Sequence, residues 1–116
     1  MKRTYSQFDI VLVDYPFSDE PSQGKIRPAL IISNEKSNAD DMDYLFCPIT
    51  STQRSGYFSI ELTNNDVVNP MQVVCEVRCN KVMTIREMRI RRKISALKFN
   101  KQKEVIERIL KAIEIS

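Results

Sequence analysis

The spacing of the apolar residues changes once along this chain, close to residue 100. Before that point they form short β-branched runs separated by proline and small polar residues, which is the pattern of strands joined by turns. After it they recur at the spacing of one face of an α-helix. Because 116 residues hold one core rather than two, the sequence predicts a single domain over residues 1–116. Its predicted fold class is mainly β with a C-terminal α-helix, a small barrel with the helix packed on it.

Five short strands are predicted, and the loops between them are rich in turn-forming residues. Pro28 opens the second strand, and because proline cannot donate a ladder hydrogen bond, it should lie at a strand start or an edge. Residues 17–24, 33–43 and 63–69 are interpreted as loops or turns, the second with room for a helical turn. The predicted strands are residues 10–13, 29–32, 44–49, 57–62 and 71–82.

Residues 71–82 show the clearest alternation between apolar and polar side chains. Because strand residues two apart share a face, one face is predicted to lie in the core and the other to be polar. The predicted core face consists of Val73, Cys75, Val77 and Cys79. The polar face consists of Glu76, Arg78 and Asn80.

Residues 101–115 are predicted to form the amphipathic helix, with Asn100 as its N-cap. Five apolar side chains fall in one stripe of this helix, and the stripe is expected to pack on the core. It consists of Val105, Ile106, Ile109, Leu110 and Ile113.

The chain contains no histidine, which removes the commonest general acid–base group, the commonest metal ligand and every nucleophile that depends on histidine. Its three cysteines, Cys47, Cys75 and Cys79, are odd in number and form no CxxC pair, which argues against a zinc site or a disulfide framework. No metal or cofactor is expected, and a reduced cytoplasm is the predicted location. No apolar run exceeds residues 29–32 and the first seven residues lack an apolar segment, so neither a membrane span nor a secretion signal is predicted.

The charge of the chain is small overall but unevenly distributed. The net charge is +3; residues 1–50 hold five basic and eight acidic side chains, whereas residues 51–116 hold thirteen and seven. Five of the basic groups lie within residues 86–93. A basic second half makes nucleic acid a reasonable partner, although a solvated face explains residues 86–93 equally well.

RNA cleavage is a reaction that a histidine-free domain can carry out without a metal, because the 2′-hydroxyl can attack the adjacent phosphate. The protein must align that attack, neutralise charge on the phosphorane, and move a proton from the 2′-oxygen to the departing 5′-oxygen. Arginine suits the charge, since its planar guanidinium is always protonated and binds two phosphate oxygens at once. Hydroxyl groups can position the phosphate.

Several side chains near the ends of predicted strands are of the types that this reaction needs. In chain order they are Lys25, Arg27, Thr50, Ser51, Arg78 and Asn80. Each also has an ordinary structural explanation: a surface cation at a strand start, a turn cap, or a solvated sheet face. Tyr57 and Phe58 can stack on the bases of single-stranded RNA, although core packing is an alternative role for one of the two.

Taken in order, these segments resemble the PemK/MazF family of bacterial toxin endoribonucleases over nearly the whole chain. The matching segments are residues 9–19, 27–28, 48–51, 77–80 and 83–85. One departure is Phe8 before Asp9, where the family usually has Gly-Asp. The resemblance implies an SH3-like barrel of the PemK/MazF/CcdB type, a homodimer, and ribosome-independent cleavage of single-stranded RNA at a short sequence. It also implies a cognate antitoxin whose tail occupies the RNA groove.

The resemblance further implies roles for individual residues. Arg27 matches the arginine that the family uses at the scissile phosphate, and Thr50 matches the threonine that helps to hold that phosphate. Ser51 matches a neighbouring hydroxyl that contacts RNA. Arg78 matches a second arginine, which is assigned a catalytic role in the plasmid-borne branch of the family.

That branch has an aspartate, proposed as the general base, at the position of Asn80. Because an amide cannot usefully accept a proton, Asn80 can orient RNA but cannot act as the base. Either the base lies elsewhere, with Glu76, Asp19 and Glu20 as candidates, or catalysis relies mainly on Arg27 and Thr50, as the match to the chromosomal branch of the family implies. Two alternatives to a nuclease also stay open: a gyrase poison of the same fold, and an RNA-binding relative with weakened turnover. A phosphate site that includes Arg27 favours the nuclease.

Overall fold

The computed structural model describes residues 4–15, 25–71 and 73–116. Over these ranges the chain forms seven strands, two α-helices and one 3₁₀ turn, Glu87–Arg89. In chain order the elements are β1 (Asp9–Tyr15), β2 (Lys25–Ile31), α1 (Glu35–Asp41), β3 (Asp43–Thr50), β4 (Ser59–Leu62), β5 (Cys75–Arg78), β6 (Met83–Arg86), β7 (Ile90–Ala96) and α2 (Phe99–Ile113).

The strands form one antiparallel sheet in the order β4-β5-β3-β2-β1-β7, with β6 paired to β3. The predicted class, mainly β with a C-terminal helix, is confirmed, but the sheet is not closed into a barrel. Among the described residues β4 and β7 form no ladder. The loop after β4 reaches the end of β7 through an isolated bridge between Val67 and Leu97 and a hydrogen bond from the Val68 N–H to the Ala96 carbonyl (2.9 Å).

The turn after β4 determines where strand pairing stops. Thr63 donates its backbone N–H (2.8 Å) and its hydroxyl (2.9 Å) to the carboxylate of Asp66, which bends the chain after only four residues of β4. Asp66 is buried. Its carbonyl accepts a hydrogen bond from the Lys98 N–H (2.7 Å), and its carboxylate accepts one from the Asn100 side chain (2.9 Å). Asp66 therefore ties the open side of the sheet to the start of α2.

Apolar side chains cover both faces of the sheet. The cluster on the face that holds α2 includes Ile10, Leu30, Cys47, Ile49, Val77, Val105 and Ile109. The cluster on the other face consists of Val11, Val13, Ala29, Ile31, Tyr44, Phe46, Ile85 and Ile90. Successive residues of β1, β2 and β3 thus enter different clusters, which explains why these strands have continuous apolar runs.

The helix α2 begins at Phe99 with Lys98 at the N-cap position, so the prediction of Asn100 as the N-cap is wrong. Asn100 lies in the first turn of the helix and binds Asp66 instead. The predicted apolar stripe divides into two parts. One part, which is buried or half-buried, consists of Val105, Ile106 and Ile109. The other part, which is exposed, consists of Leu110 and Ile113. No helix within the described ranges is long and apolar enough to cross a membrane.

Strand β5 is shorter than predicted, and only part of its predicted core face is buried. Cys75, Val77 and Cys79 are buried, but Val73 is 59% exposed, because the strand begins only at Cys75. The opposite face of β5, which the sequence predicts to be polar, is not fully exposed to solvent. Glu76 lies on it and is buried.

Strand β2 begins at Lys25, so Pro28 lies inside the strand rather than at its start. The residues before Ala29 pair with β1 alone, and pairing with β3 starts where Ala29 faces Pro48. On the side of β3, the strand is therefore an unpaired edge as far as Pro28. A proline is tolerated at such an edge because a ladder hydrogen bond is not required of its nitrogen.

Candidate functional site

A cavity of about 460 Å³ opens beside β1, β2, β3, β7 and the segment that precedes β5. Three of the predicted site residues, Arg27, Thr50 and Ser51, line it together. Arg92 of β7 also lines it, although the sequence singled this residue out only as part of the basic stretch 86–93. The remaining lining residues are apolar: Leu12, Pro28, Ile49, Pro70, Met71, Val73, Cys75 and Ile94.

The pairing of β2 with β3 explains why Arg27 and Thr50 meet. The last pair of that ladder places Ala29 opposite Pro48. Arg27 and Thr50 each lie two residues beyond this pair, so strand alternation directs both side chains to the same face of the sheet. Because the ladder has already ended there, the gap between the two strands forms part of the cavity mouth.

The hydroxyl of Thr50 is held by the turn that follows β3. Its Oγ1 accepts a hydrogen bond from the backbone N–H of Thr52 (3.1 Å). Since this bond uses an oxygen lone pair, the hydroxyl proton can still be donated to a ligand in the cavity. Thr50 is half-buried and Ser51 is exposed, so both hydroxyl groups are accessible to such a ligand.

Glu76 lies beside Thr50, directly opposite it in the ladder between β3 and β5. The residue is buried, and its Oε1 accepts a hydrogen bond from the backbone N–H of Arg54 (2.9 Å). Its carboxylate therefore holds the loop that follows β3. Glu76 is one of the three candidate general bases; the other two, Asp19 and Glu20, lie outside the described residues.

Arg78 lies near this group but does not line the cavity as far as the described residues define it. It is the last residue of β5, half-buried, and faces Ser59 of β4. Alternation places it on the same strand face as Glu76. Its Nε atom is buried and has no hydrogen-bond partner within the described ranges. This donor is closed off from solvent, so only the outer nitrogens of the guanidinium are considered for contact with a ligand.

Asn80 and Phe58 lie apart from the Arg27 cavity. They line a second hollow, of about 500 Å³, against the C-terminal end of α2. The other residues of this hollow are Val82, Lys111, Ala112 and Ile113. Phe58 also packs against the core, which agrees with the core-packing alternative for one of the two aromatic residues; contact with RNA stays a prediction for it.

Tyr57 is exposed and is held by an arginine of α2. The guanidinium carbon of Arg108 lies 4.3 Å from the centre of the Tyr57 ring, and its Nη1 donates a hydrogen bond to the Tyr57 carbonyl. The ring of Phe58 meets that of Tyr57 edge to face, with 4.9 Å between their centres. Arg108 therefore covers one face of the tyrosine, and a nucleobase cannot stack on that face without displacing it.

Lys25, the remaining residue predicted to bind RNA, is the first residue of β2 and faces Tyr15 in β1. It is exposed and lies outside the cavity lining. Because it is two residues from Arg27, it shares the strand face of that arginine at a distance of about 7 Å along the strand.

The three cysteines are free and buried. Burial, with the neighbouring Cys79 thiol as a second cause, raises the pKa of Cys47 to about 12. Burial likewise raises the pKa of Cys79 to about 11 and raises the pKa of Cys75. Protonated thiols are poor nucleophiles, so Cys75 contributes to the cavity wall as an apolar group.

Within residues 4–15, 25–71 and 73–116, no group of three cysteine, aspartate or glutamate side chains is placed to hold a metal ion.

Residues 6–113 match the model of one protein family, described as the PemK-like, MazF-like toxin of type II toxin-antitoxin system. The chain belongs to this family. The resemblance inferred from the ordered sequence segments is thereby confirmed. In this PemK/MazF-like toxin, Arg27 and Thr50, the two residues that the sequence predicts at the scissile phosphate, line one cavity, whereas Asn80 lies outside it.

Solved structures of similar toxins share the fold. The Mycobacterium tuberculosis toxin MazF-mt6 is 21% identical, with a TM-score of 0.72 over 93% of this chain and 98% of that one. An endoribonuclease from a mycobacterial species, solved in complex with its cognate antitoxin, is 14% identical, with a TM-score of 0.78 over 97% and 98%. A MazE–MazF structure from Deinococcus radiodurans is 18% identical, with a TM-score of 0.77 over 99% and 100%. No curated protein is significantly similar to the chain in sequence.

Proposed function

We propose that this toxin is a metal-independent, sequence-selective endoribonuclease that cleaves single-stranded RNA and thereby arrests growth. The observation that carries this proposal is the convergence of Arg27, Thr50 and Ser51, from two strands, on one cavity. A cation beside two hydroxyl groups is suited to a phosphodiester. A gyrase poison of the same fold binds a protein and cleaves nothing, so it does not need a phosphate-binding site of this kind.

In the proposed reaction the 2′-hydroxyl of the RNA attacks the adjacent phosphorus. A bond forms between the 2′-oxygen and phosphorus, the bond to the 5′-oxygen breaks, and the products are a 2′,3′-cyclic phosphate and a 5′-hydroxyl. Arg27 neutralises the charge that develops on the phosphorane, and Thr50 donates a hydrogen bond to a non-bridging oxygen. Ser51 contacts the RNA beside it. Arg78 is assigned a second charge-stabilising role at the margin of the site.

The proton of the 2′-hydroxyl must pass to a base, and the departing 5′-oxygen must receive a proton. The base is one of the carboxylates Glu76, Asp19 and Glu20. Glu76 is buried and already binds the N–H of Arg54, which favours Asp19 or Glu20 for the proton transfer and a positioning role for Glu76. Asn80 is assigned no part in the proton transfer, since an amide is not a base.

The proposed partners are single-stranded RNA, an antitoxin and a second copy of the chain. A mycobacterial endoribonuclease of the same fold is described in complex with its cognate antitoxin, which supports an antitoxin as a partner of this chain. The exposed apolar side chains of α2, Leu110 and Ile113, offer surface for a homodimer. Lys25, Tyr57 and Asn80 remain proposed contacts to RNA outside the cavity. The proposed location of the toxin is the cytoplasm.

The test is to incubate the protein with a long single-stranded transcript in excess EDTA, and to assay gyrase supercoiling alongside. The proposal predicts discrete RNA fragments with 5′-hydroxyl ends and unchanged supercoiling. Trapped gyrase with intact RNA would identify a gyrase poison, and RNA binding without fragments would identify a relative with lost turnover. Sequencing the fragment ends then gives the recognition sequence.

A further inference from the structure

Three consecutive cations on β7 have different surroundings. Arg91 Nε lies 3.1 Å from the Asp14 carboxylate, and Lys93 Nζ lies 3.2 Å from the carboxylate of Asp9. Arg92, between them, forms no ion pair within the described ranges and lines the Arg27 cavity. Arg91 and Lys93 are thus each paired with a carboxylate of β1, whereas Arg92 lines the cavity.

A β-bulge in β7 accounts for the different surroundings of Arg91 and Arg92. In the ladder between β1 and β7, Leu12 faces Arg92 and the next residue, Val13, faces Ile90, so Arg91 is an extra residue on β7. A bulge redirects the side chains around it, and bulges recur beside functional sites for that reason. Here it allows two adjacent arginines to serve different purposes: Arg91 pairs with Asp14, and Arg92 lines the cavity.

The sheet also fixes the spacing of the two cavity arginines. Leu12 of β1 faces Arg92 on one side and Pro28, the neighbour of Arg27, on the other. The backbones of β7 and β2 are two strand spacings apart, about 10 Å. Arg92 on β7 and Arg27 on β2 therefore lie on either side of β1, and both residues line the cavity. Between them the wall is apolar, formed by Leu12, Pro28 and Ile49.

We propose that Arg92 binds a second backbone phosphate of the RNA, adjacent to the phosphate held by Arg27, with the intervening nucleoside lying on the apolar wall. This inference rests on the proposed nuclease function. A cation without a carboxylate partner in an otherwise apolar wall is suited to an anionic ligand. Two phosphates joined by one nucleoside match two cations separated by an apolar surface. Arg92 is then a binding residue, and the chemistry stays with Arg27 and Thr50.

The experiment compares Arg92→Gln with Arg91→Gln, a neighbour on the same strand that loses the same charge outside the cavity. The probe is an oligonucleotide with the mapped cleavage sequence and a 2′-O-methyl group at the attacking nucleotide, so that it binds without being cleaved. Its Kd is measured over a range of NaCl concentrations for both variants and the wild type. A neutralised phosphate contact on a single strand contributes about 0.7 to the slope of log K against log salt.

Arg92→Gln is expected to reduce that slope by about 0.7 and to raise KM with little change in kcat. Arg91→Gln is expected to keep the wild-type slope, because Arg91 does not line the cavity and is paired with Asp14. A wild-type slope for Arg92→Gln, or equal losses in both variants, overturns the inference while leaving the nuclease proposal standing. If the wild-type protein does not cleave RNA, the nuclease proposal fails and this inference fails with it.

Discussion

Thr50 lies directly opposite Glu76 in the ladder between β3 and β5, so a buried carboxylate stands beside the hydroxyl that faces the cavity. The hydrogen bond from the Arg54 N–H to Glu76 (2.9 Å) connects this pair to the loop that contains Ser51. This hydrogen bond supports a positioning role for Glu76, in which it acts on the site through the backbone that it holds. A positioning role and a catalytic role predict different effects of substitution at this residue.

Glu76→Gln tests this distinction because glutamine keeps an oxygen that can accept the hydrogen bond of Arg54. We expect kcat and the shape of the pH–rate profile to stay close to those of the wild type. Glu76→Ala should lower thermal stability, since it removes a hydrogen bond to a charged group, which contributes about 1.5–3 kcal/mol, and should slow cleavage by loosening the loop. A loss of several orders of magnitude in Glu76→Gln, with the acidic limb of the profile removed, would instead identify Glu76 as the general base.

Thr50 is expected to contribute through its hydroxyl proton. Thr50→Val keeps the shape of the side chain but removes the donor, and we expect kcat to fall by about 10². Thr50→Ser keeps the hydroxyl and should retain most of the activity. Single-turnover cleavage of one transcript by both variants measures the difference. Equal rates for the valine and serine variants would exclude this hydroxyl from the reaction.

The position of Asn80 in the second hollow leads to a prediction about its chemistry. Asn80→Asp introduces a carboxylate beside Lys111 and α2, away from the Arg27 cavity. We expect kcat not to rise and no new acidic limb in the pH–rate profile. Asn80→Ala should weaken RNA binding only modestly. A clear rate gain in Asn80→Asp would show that a base is missing from the natural protein and that this residue reaches the RNA phosphate.

The sequence predicts strands well where apolar side chains dominate and poorly where charges interrupt them. The predicted runs overlap β1, β2 and β3, because both faces of each of these strands are covered by apolar clusters. Strands β6 and β7 have no counterpart in the prediction. Five basic side chains within residues 86–93 hide their alternation, and the bulge at Arg91 shifts its period.

The individual site residues could be proposed from the sequence, but their grouping could not. Arg27 and Thr50 meet because of the register of β2 on β3, which no local pattern contains. Asn80 was predicted on the strand face of Arg78, yet β5 ends at Arg78 and the chain turns there, with the Lys81 N–H bonded to the Arg78 carbonyl (3.1 Å). Arg92 could have been found only by recognising the bulge.

Asp66 is expected to make stability depend on pH. Although burial alone would raise its pKa, hydrogen bonds from Thr63 and Asn100 and the nearby charge of Lys101 lower it below the ordinary value of 3.8. A carboxyl with a lowered pKa in the folded state stabilises the fold above about pH 4, and this contribution is lost as the pH falls through the lowered pKa. The ionised form is the one that ties the β4 turn to α2.

Asp66→Asn should therefore lower the free energy of unfolding at pH 7, by about 1.5–3 kcal/mol for hydrogen bonds to a charged group. The difference from the wild type should shrink as the pH falls below 4. Urea unfolding at pH 7 and pH 3 measures both effects, with Asp40→Asn, an exposed position on α1, as the matched control. A difference that is the same at both pH values would contradict this assignment.

Arg27→Ala decides whether RNA is cleaved in the cavity that Arg27 and Thr50 line. Arg27 is exposed on β2, so its truncation should leave the fold and the circular dichroism spectrum unchanged. The measurement is the initial rate of transcript cleavage in EDTA by the wild type, by Arg27→Ala, and by Arg89→Ala, an exposed arginine outside the cavity. We predict a fall of about 10²–10³ for Arg27→Ala and a rate close to that of the wild type for Arg89→Ala. Near-normal cleavage by a folded Arg27→Ala protein would show that RNA is not cleaved in this cavity.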